Sequence, residues 1–336
     1  MAGATADRPS GVGRPGHRHC HLAVARHDIP EAGMTRPTHR FSRPFTYERR
    51  TVITIVGATG ATDGALLRRL TELDVPCRAV SRTPWQIGRC HRRKSAGRDH
   101  WRRRRGPPHA PRCVRGIYTT VPLHGQQPPP GRAGENVIDA AAWCGVRHVV
   151  KLSAPAAEPA SPVAVSGGHR QVEGHLAATG MTATLLRPYA FMQKLLQNAP
   201  AIARGVLIGA MREAPCNYVD VRDIADVAAE TLLRPGLAGA TYTLTGPQAF
   251  SHPELARLLS ELTGRPVRLP PGDFHSHLLS TAQMPPWLAD HVVEIQQLAI
   301  ARAESTNGTI ETALGRPARA LRAFIHEHLH TSAPTA

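Results

Sequence analysis

The chain has 336 residues and a formal net charge of +16, long enough for one large domain or two modest ones. Spread over a fold, that excess would indicate nucleic acid or an acidic surface as partner. It is instead confined to two segments. Residues 1–50 hold nine Arg against four acids, and residues 88–132 hold eleven Arg and Lys94 against Asp99 alone, while the rest balances at 20 basic and 20 acidic residues. A uniformly basic nucleic-acid-binding fold does not describe this chain. No run of 18 apolar residues is present to cross a membrane, and residues 22–25, the longest apolar run near the start, are too few for a signal-peptide core. The six Cys form no CxxC pair, so the expectation is a cytoplasmic chain with reduced thiols.

Residues 1–50 show no helical or strand periodicity and are rich in Arg, His, Pro and Gly, which reads as a disordered basic leader, with Met34 an alternative start. Residues 51–56 (TVITIV) are a β-branched run suited to a strand buried on both faces. A glycine-rich turn runs from Gly57 to Gly64, residues 65–70 read as an amphipathic helix stopped at Pro76, and residues 77–81 as a second strand. Strand, glycine turn, helix and strand in this order make a βαβ unit of a parallel sheet.

Residues 88–132 break the rhythm with four consecutive Arg at 102–105 and three consecutive Pro at 128–130, leaving only 117–121 strand-like. Three readings stay open: a nucleic-acid-binding loop with Trp101 and Tyr118 as stacking partners, a disordered insertion, or a GC-rich gene translated out of frame. The frameshift would start near Gly88 and resolve between Gly116 and Arg132, with residues 1–33 an over-extended start.

Regularity returns with a helix over 135–144 ended by Gly145, a strand over 146–152 and a helix over 172–178. A strand over 181–186, a helix over 222–233 and a strand over 241–244 follow. Past Gln248 the pattern is helical, opening on a capping box of Ser251 and Glu254, with further helices near 286–303 and 317–330. The expected fold class is α/β, a doubly wound parallel sheet over 51–247 with a small, mostly helical C-terminal substrate subdomain over 248–336.

The glycine turn carries the chemistry. Between a buried strand and a helix, the backbone N–H groups of Gly57, Ala58, Thr59, Gly60, Ala61 and Thr62 could approach a pyrophosphate, whose charge a helix N-terminus favours. Gly57 and Gly60 stand at GxxG spacing, but Asp63 replaces a third glycine; its carboxylate suits the helix dipole and repels a phosphate. The second strand ends in Ser81-Arg82, with no acid for ribose hydroxyls and an arginine suited to a 2′-phosphate, which favours NADP(H) over NAD(H). Asp220 and Asp223 read as helix caps. His326-Glu327 with His330 matches HExxH, but only six residues follow and no third ligand is in view, so no metal is assigned.

Several ordered stretches carry a family resemblance: Val56-Gly57-Ala58-Thr59-Gly60 with Arg82, then 147–153 (RHVVKLS), 184–188 (TLLRP), 218–225 (YVDVRDIA) and 242–246 (YTLTG). The chain resembles the NmrA-like branch of the atypical short-chain dehydrogenase/reductases over about 51–87 and 134–330. The resemblance implies a Rossmann-type NAD(P)-binding domain and either a reductase of quinones, dyes or similar small electrophiles, or a non-catalytic redox sensor. It also implies that Ser153 takes the position of a serine hydrogen-bonding a substrate carbonyl. The Tyr and Lys of catalytic short-chain enzymes would fall at Val165 and His169, so neither is present, and His169 is the remaining candidate proton donor. Tyr189, Phe191 and Met192 match the loop that opens the substrate pocket. The expected partner is a small molecule, with no membrane and no nucleic acid, and the oligomeric state is open.

Overall fold

A computed structural model describes residues 23–26, 52–81, 114–120, 131–155, 157, 164–270, 274–280, 283–303 and 305–329. Its centre is a seven-stranded sheet ordered β1-β3-β2-β4-β5-β6-β9. The strands are β1 (Ala23–Arg26), β2 (Val52–Val56), β3 (Cys77–Ser81), β4 (Val114–Thr120), β5 (His148–Leu152), β6 (Thr182–Pro188) and β9 (Thr241–Leu244). All neighbours pair in parallel except β1, which runs antiparallel along β3 from Ala23 opposite Ser81 to Arg26 opposite Arg78. Two short strands, β7 (Ala190–Phe191) and β10 (Ala249–Phe250), flank β8 (Cys216–Val219) in a separate three-stranded sheet.

Chain order reverses between β2 and β4, since β3 lies on one side of β2 and β4, β5, β6 and β9 follow on the other. In open parallel sheets the ligand crevice lies at that switch point, outside the carboxyl ends of the strands. The glycine turn leaves β2 there, and β4 stops beside it. Within the leader read as disordered, β1 is an exception, because the backbone groups on the outer edge of β3 offer a ready template for pairing. The Arg/Pro-rich segment also contributes structure: β4 pairs on both sides, and Gly116, Ile117, Tyr118 and Thr119 are buried. Residues 88–113 and 121–130, with Arg82, lie outside the described residues.

Helices cover both faces. On one side α1 (Ala61–Glu72) and α6 (Val221–Leu233) bury Leu66, Leu70, Ile224 and Val227 against Ile53, Ile55, Val150 and Leu152. On the other, α2 (Gly131–Trp143) and α3 (Ala164–Ala178) bury Ile138, Val172 and Leu176 against Ile117 and Val149. Alternation along β5 therefore turns Val149 and Lys151 toward α3, and Val150 and Leu152 toward α1 and α6. Gly134 lets α2 and α3 approach closely, because a Cβ there would come within 2.6 Å of a Val172 methyl.

Between β7 and β8 lie two single-turn helices, α4 (Lys194–Gln197) and α5 (Ala199–Ile202). The C-terminal part comprises α7 (His252–Thr263), α8 (Phe274–Ser280), α9 (Pro286–Ala301), α10 (Thr309–Leu314) and α11 (Leu321–Leu329). Its interior gathers Met192, Leu207, Leu255, Leu259, Phe324 and Ile325. The capping box of α7 forms as expected: Ser251 Oγ accepts from the Glu254 N–H at 3.4 Å, and the Glu254 carboxylate accepts from the Ser251 N–H at 2.8 Å. Asp220 caps α6 by accepting from the Arg222 N–H at 2.8 Å. Asp223, wholly buried, receives Arg316 at 2.8 Å, the Arg319 N–H at 2.7 Å and the Arg319 guanidinium. Asp226 extends this clamp, taking Arg316 at 2.5 Å and Arg69 of α1 at 3.1 Å. Glu327 of the HExxH run pairs with Arg222 at 2.9 Å, and the His328 ring packs on Phe324 with centroids 4.5 Å apart. Among the described residues no cluster of three His, Cys, Asp or Glu is placed to hold a metal.

Candidate active site

The turn after β2 is shaped by its glycines. Gly57 has φ +88°, a conformation open to glycine at little strain, and its N–H donates to Val80 O at 2.9 Å. Gly60 N–H closes back on Gly57 O at 2.8 Å, and Gly60 then caps α1 with extended backbone. Ala58 and Thr62 are buried, whereas Thr59, Gly60 and Ala61 stand exposed at the mouth of the turn. The first N–H groups of α1 have no acceptor within the helix, which makes this end a seat for an anion.

Asp63 is the discordant group. It occupies the third helical position, is 2% exposed, and folds its carboxylate onto Gly60, where any Cβ would collide with it. It also lies beside Tyr118 of β4, whose wholly buried phenol is pushed well above its usual pKa by burial and by the Asp63 charge. Tyr118 therefore holds its proton at physiological pH. The backbone of the turn fits a dinucleotide diphosphate, with Asp63 the one group of unfavourable sign in the cradle.

At the carboxyl ends of β5 and β6 the structure assembles a polar cluster inside the protein. Lys151 of β5 is wholly buried; its Nζ lies 2.9 Å from His169 Nδ1 and donates to Leu152 O at 3.2 Å. Ser153, just past β5, donates its hydroxyl to one oxygen of Glu173. The other Glu173 oxygen accepts from Arg187 of β6 at 2.7 Å. His169 and Glu173 stand one helical turn apart on α3, so both side chains face the sheet. Burial lowers Lys151 to a pKa of about 7, with Arg187 adding to the shift and Glu173 opposing it. Burial, Lys151 and Arg187 together hold His169 down to about 3, so its ring is neutral across the physiological range.

The residues expected at the site are thus partly united. Ser153 and His169 meet in one cluster, but the Ser153 hydroxyl donates its hydrogen bond to Glu173 and offers a ligand only lone pairs. His169 cannot carry an imidazolium proton near neutrality. Tyr189 and Phe191 are half-buried beside the end of β6, while Met192 is wholly buried in the C-terminal interior. Lys151, Glu173 and Arg187, which are not among the expected site residues, complete the cluster. Their signal was present: Lys151 falls on the inner face of a strand covered on both sides, and His169 and Glu173 share a helix face.

Scanned against models of known protein families, the chain matches none. Among curated proteins it is 32% identical over 285 residues to an NAD(P)H azoreductase of Xenophilus azovorans, covering 82% of this chain and 98% of that protein. The chain belongs to the NmrA-like atypical short-chain dehydrogenase/reductases. Within this family it is also 31% identical over 288 residues to a (4-alkanoyl-5-oxo-2,5-dihydrofuran-3-yl)methyl phosphate reductase of Streptomyces griseus, covering 84% of this chain and all of that one. An NADPH-dependent quinone oxidoreductase of Escherichia coli, solved with NADPH, shares the fold at a TM-score of 0.66 and 23% identity, over 82% of this chain and 99% of that one.

Proposed function

We propose that this NmrA-like chain is an NAD(P)H-dependent oxidoreductase that reduces a small quinone-like or conjugated electrophile. The observation that carries the reading is the glycine turn at the switch point of the sheet, with Gly57 at positive φ and no room for a Cβ at Gly60. Support comes from the azoreductase and the butenolide phosphate reductase, each matched over nearly its whole length, both of which are named for reducing conjugated acceptors. The reduced nicotinamide supplies a hydride, that is, two electrons and one proton. Residues 57–62 hold the diphosphate, and Arg82, outside the described residues, pairs with the 2′-phosphate and favours NADP(H). Tyr189 and Phe191 form the apolar wall over which a flat acceptor lies. An acceptor whose reduction leaves a delocalised anion suits a site without the Tyr/Lys pair, because the protonation step then demands less of the protein.

The test is NADPH and NADH oxidation, followed by nicotinamide absorbance, against a panel of quinones, azo dyes and unsaturated lactones. Turnover with a conjugated acceptor and a lower KM for NADPH is the expected result. Binding of dinucleotide without turnover on any of these acceptors would overturn it in favour of a redox-sensing regulator. That second reading draws on Val165 and His169 standing where the Tyr and Lys would be.

A further inference from the structure

The geometry points to Lys151 as the proton reservoir of the site, feeding the acceptor through the imidazole of His169. This inference rests on the reductase reading above and adds to it the source of the second proton. Three observations lead to it. First, a lysine amine with no exposure lies 2.9 Å from His169 Nδ1, and the nearest carboxylate, Glu173, is already occupied by Ser153 and Arg187. An ammonium can only donate, so the protonated Lys151 makes Nδ1 an acceptor and fixes the ring proton on Nε2. Second, His169 retains 7% exposure where Lys151 has none, so of the two it is the residue that reaches the outside of the cluster. Third, the helix lacks the Tyr/Lys pair, and the strand brings a cation to the same part of the fold.

The step balances without an imidazolium being held at rest. After the hydride reaches the acceptor, the Nε2–H bond breaks and that proton passes to the oxygen or nitrogen that has become anionic. The Nζ–H bond breaks as a new bond forms at Nδ1, leaving a neutral amine at Lys151. Solvent then reprotonates Nε2, and the Nδ1 proton returns to the amine. The groups facing Lys151 are His169 and Glu173 from α3 and Arg187 from β6. On α2 the acids Glu135 and Asp139 are turned away, paired at the surface with Gln171 and His175 at 2.8 and 2.6 Å. Lys151 acts through His169, so it is a positioning and reservoir residue; only His169 would touch the substrate.

Two kinds of acceptor separate the proton from the hydride. Quinones and azo compounds need both, whereas a cationic triphenylmethane dye is neutralised by hydride alone. In Lys151→Met the steady-state rate on quinone or azo acceptors is expected to fall by about 100-fold, while the rate on the cationic dye stays within a few-fold of wild type. The wild-type rate on quinone falls about tenfold for each pH unit above neutrality, and this limb disappears in the variant. Independently of turnover, ¹⁵N spectra of the wild-type imidazole should show the Nε2–H tautomer, with an Nδ1 shift that titrates near neutrality and is absent in Lys151→Met. His169→Gln, which folds or fails independently of the lysine change, should show the same acceptor split. Equal losses on both acceptors, or an Nδ1 signal indifferent to Lys151, overturn the relay. A wild-type protein that reduces none of the three acceptors overturns the reductase reading instead.

Discussion

Neutralising Asp63 probes the glycine cradle most directly. The carboxylate is buried in the first turn of α1 and lies on Gly60, so an approaching diphosphate meets it before it meets much solvent. A phosphate charge about 6 Å away is opposed by roughly 2–3 kcal/mol at an effective dielectric near 20. Asp63→Asn keeps the shape and the acceptor oxygen and removes the charge. Its dissociation constant for NADPH, measured by calorimetry or nicotinamide fluorescence, is expected to be about 30- to 150-fold lower than wild type. Asp63→Gly should bind comparably well and lose stability, because an acid at the third helical position favours the dipole and glycine weakens the helix, together about 1 kcal/mol. That corresponds to a fall in Tm of about 2–4 °C. Unchanged or weaker NADPH binding in both variants would refute the reasoning, since the carboxylate would then not face the diphosphate.

Other changes read out the interior. The Lys151 pKa is lower folded than unfolded, so the burden on the fold is full below pH 7 and fades as pH rises toward 10.5. Lys151→Met should therefore be more stable at pH 6 by on the order of 3–4 kcal/mol, after about 1 kcal/mol for the orphaned imidazole, with the gain shrinking by pH 10; a lower melting temperature at both pH values contradicts this. Glu173→Gln removes the charge that supports the Lys151 proton, so the alkaline limb of quinone reduction should move to lower pH, which a pH–rate profile checks. Asp223→Ala leaves Arg316 and Arg319 with Asp226 alone and should cost about 2–3 kcal/mol by chemical denaturation. Ser251→Ala removes the cap of α7 and should cost about 1 kcal/mol in the same assay.

Local signals in the sequence were enough to reveal the βαβ opening, because a β-branched run, paired glycines and an amphipathic helix each point to the same structure. Helix starts carry a weaker signal. The helices α2 and α3 begin at Gly131 and Ala164, ahead of the expected 135 and 172, because Gly134, Gly167 and Gly168 are poor helix formers in isolation. In the fold, Gly134 is what admits Val172, so tertiary packing overrides propensity there. Motif positions single out Ser153 and His169, and the fold brings the two into one polar cluster. What decides their chemistry is the company they keep across β5, α3 and β6, and sequence separations of 14 to 20 residues between those partners carry no local signature.

The connection from Ser81 at the end of β3 to Val114 at the start of β4 carries residues 82–113 across β2. Both strands are anchored by parallel pairing to β2, so the sheet fixes the two ends of this crossover. Closing a flexible tether grows more unfavourable only logarithmically with its length, by roughly 0.6 kcal/mol for each doubling. Changes of length between Ser81 and Val114 therefore weigh little on the pairing of β3 and β4 with β2.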